Sequence, residues 1–400
     1  MRGTALSAFS LEFRLLLACC LWPHSNERTE RVARALQPEL NWFHFLRLTE
    51  RHRVTGLVHH ALSHLPADAV PELVRKDIAQ RAALLARQNL RLATESVRIA
   101  RLLENAGITV KFLKGVPLAI VVYGGLSQRH SRDIDLLVPP ESVVLASSTL
   151  TSAGYYGATP AERLTKDDQI RARFRHNKHI EYVHHNSGIR VELHAHMFIN
   201  PVLNEAFGPE HWEPVPVGGN SLLSLKRQEL ILYLCLHGAM HSWFRLKWLV
   251  DIGALLTQAT EQDIQRLLQA AKDCGITIPV LEGIQLSSSL LGELPLKRST
   301  APGWRERALT HLALKELCCE SVQESLSFRS ARSKLSHYLL RSDWRYLSAQ
   351  LRSDSTGADD PQIVRLPAAL HFLYPILRPF SWIIRHLLRH RTSSSDVLPG

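Results

Sequence analysis

Residues 129–138 read Arg-His-Ser-Arg-Asp-Ile-Asp-Leu-Leu-Val, and the alternation in the second half of that stretch decides how the chain is read. In an extended strand, residues two apart point to the same side with Cα atoms roughly 6.5 Å apart. Asp133 and Asp135 therefore share one face while Ile134 and Leu136 turn into a core. Neighbouring carboxylates repel unless a cation neutralises them, and hard oxygen ligands so placed suit Mg2+ carried in with phosphate groups. Taken alone, the segment fits equally well a solvated sheet edge beside Arg129 and Arg132.

Its surroundings narrow the choice. Upstream, Ile108 to Leu113 reads as a strand, Lys114-Gly115 breaks it, and Val116 to Tyr123 reads as a helix ending at Gly124-Gly125. A strand turning directly into a helix presents free backbone N–H groups to a phosphate chain. Downstream, residues 142–153 make a helix ending in Gly154. Strands then run from about Lys178 to His185 and from Ile189 to His196, flanking Asn186-Ser187-Gly188, a hairpin loop. From Ser10 to Asn105 apolar residues recur at helical steps, and after about Ser221 the chain is helical again, with its most hydrophobic helix at Leu230 to Leu256. The expected fold class is α+β. A small mixed sheet at 106–220 bears the acids, flanked by a helical N-terminal region (1–105) and a helical C-terminal domain (221–350), with a linker and basic amphipathic segment over 351–400.

Strand, glycine turn, helix, then a strand with paired aspartates resembles the DNA-polymerase-β-type nucleotidyltransferase superfamily. The closer likeness is to a group of uncharacterised bacterial nucleotidyltransferases. The residues that carry it are Leu113-Lys114-Gly115, Tyr123-Gly124 and Arg129 through Val138, and the likeness extends over about residues 40 to 260. It implies a third carboxylate on a later strand. The candidate is Glu192 in Arg190-Val191-Glu192-Leu193-His194, which shares a face with Arg190 and His194; a solvated hairpin face is the plainer reading of the same residue. Two departures stand out: Val116 occupies the place of the usual Gly or Ser, and the gap from Gly115 to Asp133 is long. Phosphate binding would then rest on Lys114, Gly115, Arg129 and Arg132, although Lys114 also reads as a strand-end surface lysine and the arginines as a solvated loop.

If Leu230 to Leu256 is one helix, His237, His241, Phe244, Trp248 and Asp251 fall in a narrow sector with Arg245 and Lys247 at its margins. That face either closes over base, ribose or acceptor, or holds satisfied core histidines with Asp251 paired to Lys247. Zinc is not favoured: His184, His185, His194 and His196 on the hairpin, like His237 and His241, lie outside any His-Glu-x-x-His pattern.

Composition sets the outer bounds. The 400 residues are 45% hydrophobic and 21% charged, enough for a large core, and the net charge of +11 favours anionic partners. Six cysteines without a CxxC spacing fit a reduced, cytoplasmic setting. Leu15 to Cys19 faintly resembles a lipoprotein cleavage site, but Glu12 and Arg14 interrupt the apolar run, and an amphipathic helix fits better. No P-loop, GxSxG elbow or dedicated nucleic-acid module is present. The apolar run Leu366 to Leu388 carries three prolines and two arginines, which argues against a span and for packing or peripheral contact with an anionic membrane. The expected activity is transfer of a nucleoside monophosphate from an NTP with Mg2+, most simply ATP, with two ions held by Asp133, Asp135 and Glu192. The acceptor is an unidentified small molecule, protein or tRNA. The alternatives are an inactive nucleotide-binding or regulatory protein and a toxin-like modifier of tRNA or protein.

Overall fold

A computed structural model describes residues 9–257, 259–292, 301–318 and 326–355. Its N-terminal part is helical: α1 (Leu11–Cys19), α2 (Asn26–Ala35), α3 (Trp42–His52), α4 (Thr55–Ser63) and α5 (Glu72–Asn105). Ser10, Ser25 and Asn41 accept backbone N–H groups at the first turns of α1, α2 and α3, satisfying donors that a helix start otherwise leaves orphaned. Along α5, Val74, Ile78, Leu85, Leu92, Ile99 and Leu103 are buried at steps of four and seven, the stripe its sequence lays out.

The sheet follows: β1 (Lys111–Phe112), α6 (Val116–Tyr123), β2 (Asp133–Leu137), α7 (Val143–Ser152), β3 (Tyr155–Gly157), α8 (Asp167–His176), β4 (His179–His184), β5 (Arg190–His194), the short α9 (Pro201–Asn204), β6 (Trp212–Val217) and β7 (Asn220–Leu225). The seven strands lie in the order β3-β4-β5-β2-β1-β7-β6. β2 runs parallel to β5 and antiparallel to β1, while β4 and β5 form the expected hairpin. Phe112, Ile134, Leu136, Val191 and Leu193 pack with Leu92, Ile99 and Leu103 of α5 in one buried cluster beneath the sheet.

Three sequence expectations are corrected. The strand expected over Ile108 to Leu113 is only two residues long, because Gly115 turns the chain at φ 71° into α6. The sheet continues past residue 220, where helix was expected: β6 and β7 form a hairpin through Gly218-Gly219, both at positive φ. The single helix expected over Leu230 to Leu256 is two, α10 (Arg227–Met240) and α11 (Leu246–Leu256). Ser242 and Trp243 break it at φ 48° and 51°, and the buried Trp243 ring folds back against Gly238, where any Cβ would collide with it.

The remaining helices are α12 (Glu261–Asp273), α13 (Thr277–Leu291), α14 (Trp304–Cys318), α15 (Leu326–Leu339) and α16 (Trp344–Ser355). The Leu366 to Leu388 run lies outside the described residues. Among the described residues no helix is long and apolar enough to cross a membrane.

Candidate active site

The parallel register of β2 and β5 sets Asp135 directly beside Glu192 and Asp133 beside Arg190. β4 completes the row, with Glu181 opposite Glu192 and His179 opposite His194. Because side chains alternate, these polar groups lie on one face of the sheet, while Ile134, Leu136, Val191 and Leu193, all nearly solvent-free, lie on the other.

The acids are tied together by cations and imidazoles. Lys114 Nζ lies 2.9 Å from Asp135 Oδ1. His194 Nε2 lies 3.1 Å from Glu192 Oε2 and 3.6 Å from Asp135 Oδ1, and His179 Nδ1 is 3.9 Å from Glu192 Oε2. Burial acts to raise every carboxyl pKa here, and the outcome depends on each acid's neighbours. For Asp135, Lys114 and His194 overcome burial and hold the carboxyl well below the usual range. Asp133 lacks such a partner, so burial and then the charge of Asp135 push it up. Glu192 is lowered despite burial, chiefly by its hydrogen bond with His194. Lys178, whose pKa is depressed by burial and then by Lys114, adds a second cation to the cluster.

The donor set suits a divalent cation. Asp133, Asp135 and Glu192 share this face, and Asp133 carries no ion pair among the described residues. His179, Glu192 and His194 each offer a ligand atom, all within 4.8 Å of one another, and the buried Nδ1 atoms of His179 and His194 have no hydrogen-bond partner among the described residues. Carboxylate oxygens alone favour Mg2+ or Mn2+, whereas the imidazoles extend the range toward softer ions.

Asp133 opens onto a cavity of about 730 Å³ lined by Arg53, Arg81, His130, Arg132 and Arg190 among others. Arg81 pairs with Glu50 and Asp77, and Arg190 with Glu181. Arg53 and Arg132 carry no ion pair among the described residues, which leaves two guanidinium groups for an anion.

The other proposed contacts divide. Gly115 caps the start of α6, as the strand–turn–helix reading requires. Val116 is buried. Lys114, read as a phosphate contact or a surface lysine, instead pairs with Asp135. Arg129, read as a phosphate contact or a solvated loop residue, is 3% exposed, and its Nε donates to Asp251 at 3.0 Å. Asp251 also accepts from Tyr123 Oη at 2.8 Å, so its partners are Arg129 and Tyr123 and not Lys247. The Lys247 ammonium instead donates to the His130 carbonyl, and Arg245 reaches the Arg51 carbonyl. Asn89 of α5 donates to the carbonyls of Leu126 and Arg129. These contacts fix the loop that delivers β2, whose residues His130 to Arg132 also line the anion cavity.

His237 and His241 do meet across an aromatic cluster with Trp248 and Phe244, although the break between α10 and α11, and not one continuous helix face, creates it. Both imidazoles are kept neutral by burial and by the nearby Lys114 and Lys178, His241 being pushed down to about 3. Lys178, His179 and Arg53 were not among the residues expected from the sequence. The alternation of β4 was the available signal for His179, since it lies two residues before Glu181 and across from His194.

A profile of the family described as an uncharacterised nucleotidyltransferase matches residues 38–292, more than half of the chain. No curated protein and no solved structure matches it.

Proposed function

The chain belongs to this uncharacterised nucleotidyltransferase family, and on that premise we propose that it transfers a nucleoside monophosphate from an NTP, most simply ATP, to a hydroxyl or phosphate acceptor with release of pyrophosphate. The observation that carries the proposal is the register of β2 on β5, which sets Glu192 beside Asp135 on the face that also bears Asp133.

Asp133, Asp135 and Glu192 would hold divalent ions, which in this chemistry neutralise the triphosphate and lower the pKa of the attacking hydroxyl. Lys114, held 2.9 Å from Asp135, would be available to a phosphate oxygen if a divalent ion balanced that carboxylate. Arg53 and Arg132 line the approach and neutralise the outer phosphates. Neutral His237 and His241, with Trp248, offer an aromatic wall for a base or acceptor. Catalysis on this reading is positioning and charge neutralisation, with no covalent intermediate on the protein.

The alternative of an inert nucleotide-binding protein draws on the Lys114–Asp135 pair, which already balances one carboxylate without any metal. One experiment separates the two. Incubation with Mg2+ or Mn2+, each NTP and a cell extract, followed by mass spectrometry, should reveal an acceptor heavier by one nucleoside monophosphate. A protein that is thermally stabilised by NTP and metal, yet yields neither such a product nor pyrophosphate, would instead be a binder.

A further inference from the structure

Away from the acids, three imidazoles converge at the edge of the N-terminal helices. His24 lies in the connection between α1 and α2, while His60 and His64 are one turn apart at the end of α4. The ring centroids of His24 and His64 are 3.8 Å apart, those of His60 and His64 4.7 Å, and those of His24 and His60 5.6 Å. Each residue offers a nitrogen, and the three nitrogens lie within 4.8 Å of one another.

We propose that His24, His60 and His64 form a transition-metal site, with Zn2+ as its ion, three imidazole ligands and an open fourth position. Imidazole suits Zn2+ and its neighbours in the first transition row, and two histidines spaced i, i+4 on a helix with a third from an adjacent segment supply a tripod of donors. Tetrahedral coordination at about 2.0–2.1 Å needs donor nitrogens roughly 3.3 Å apart. His24 and His64 are exposed, so rotation of their side chains closes the remaining gap without moving backbone. Burial offers little reason for two exposed rings to stack there.

The outer contacts also fit. His64 Nδ1 lies 2.7 Å from the His60 carbonyl, which places the proton on Nδ1 and leaves the Nε2 lone pair for a metal. The His60 ring packs edge-on against Trp22, which in turn meets Tyr123, the partner of Asp251. A bound ion would therefore tie the α1–α2 connection to α4 beside the contacts that hold the β2 loop. Arg28, which shares a small cavity with His24 and His60, adds a repulsive charge. Salt screens that repulsion, so affinity should rise with ionic strength.

The test uses the full chain stripped with chelator and then dialysed against Zn2+ alone, with metal counted by mass spectrometry and Co2+ substitution read by absorption. Wild type should retain a zinc that persists in a variant carrying Asp133→Asn, Asp135→Asn and Glu192→Gln. That zinc should be lost in His60→Gln/His64→Gln, with a drop in affinity exceeding the about 10–100-fold that outer partners of metal ligands are worth. His24→Gln, which lies outside any helix, should also lose it, and serves if the double variant does not fold. Wild-type zinc content in either histidine variant overturns the site. So does zinc that disappears only when the acids are changed, or no zinc in wild type.

Discussion

Arg129 and Asp251 form an ion pair closed to solvent, with 3.0 Å between Nε and Oδ2 and side chains 3% and 0% exposed. Residues 122 positions apart in sequence thereby lock the loop before β2 onto α11. Breaking such a pair leaves an uncompensated buried charge, which costs about 3–5 kcal/mol. Arg129→Ala should lose about that much stability in urea denaturation, and Arg129→Ala with Asp251→Ala less than the two single losses summed. Arg132→Ala, on the exposed cavity rim, should stay within about 0.5 kcal/mol of wild type yet weaken nucleotide binding. Wild-type stability of Arg129→Ala together with lost nucleotide affinity would return Arg129 to the role of phosphate contact.

Asp133 and Asp135 should respond oppositely to loss of charge in the metal-free protein. Asp133→Asn removes a carboxylate that burial and Asp135 disfavour, and should stabilise. Asp135→Asn strands Lys114, which is only 16% exposed, and should cost about 3 kcal/mol. Lys114→Met added to Asp135→Asn should recover part of that loss. Equal effects of the two asparagine substitutions would contradict the charge assignment. Both should abolish stabilisation by NTP with metal, which for a ligand at a hundred times its dissociation constant is about 2.7 kcal/mol.

Glu192→Gln tests the division between binding and chemistry. If Glu192 acts mainly in the transition state, the variant should keep the NTP-dependent thermal shift while turnover falls by about a hundredfold or more. Unchanged turnover on the identified acceptor would remove Glu192 from the site.

Acid should destabilise the protein from pH 6.5 downward. His52, His130 and His241 are each held at about 3, by burial first and then by neighbouring cations, against about 6.5 in the unfolded chain. His52 Nδ1 also accepts the Leu246 backbone N–H at 3.2 Å, a bond that protonation would forbid. Between these two pKa values the unfolded chain binds protons that the native state refuses. Stability is therefore full above pH 6.5 and falls as pH drops toward 3, by up to about 1.4 kcal/mol per pH unit for each histidine. A flat urea midpoint between pH 7 and 5 would show that these rings are not held neutral.

What was legible in the sequence is what local pattern encodes. The alternation of Asp133 to Leu137, the helix from Val116 to Tyr123 and the hairpin around Asn186-Ser187-Gly188 all follow from residues near one another in the chain. The β6–β7 hairpin did not, because Pro214 and Pro216 argue against a strand. β6 tolerates them as the sheet's outermost strand, with both prolines exposed. Nor did the break after Met240, which depends on Trp243 finding the one side on which Gly238 leaves room. For the candidate site, Asp133 and Asp135 stood out by residue type and alternation, and Glu192 through the family resemblance. The partners of Lys114, Arg129 and Asp251 are set by tertiary packing that no local period records.

The 34-residue helix α5 extends about 51 Å at 1.5 Å per residue. Val74 and Ile78 near its start belong to the core of the helical part, and Leu92, Ile99 and Leu103 near its end to the core beneath the sheet. One rigid rod is thus built into both hydrophobic interiors, as a joist is set into two walls. The sheet carrying the acids cannot be excised at residue 106 as a free-standing module without losing one wall of its interior. Heating should melt both halves in a single cooperative transition, and amide protons along the middle of α5 should exchange only when the entire molecule opens.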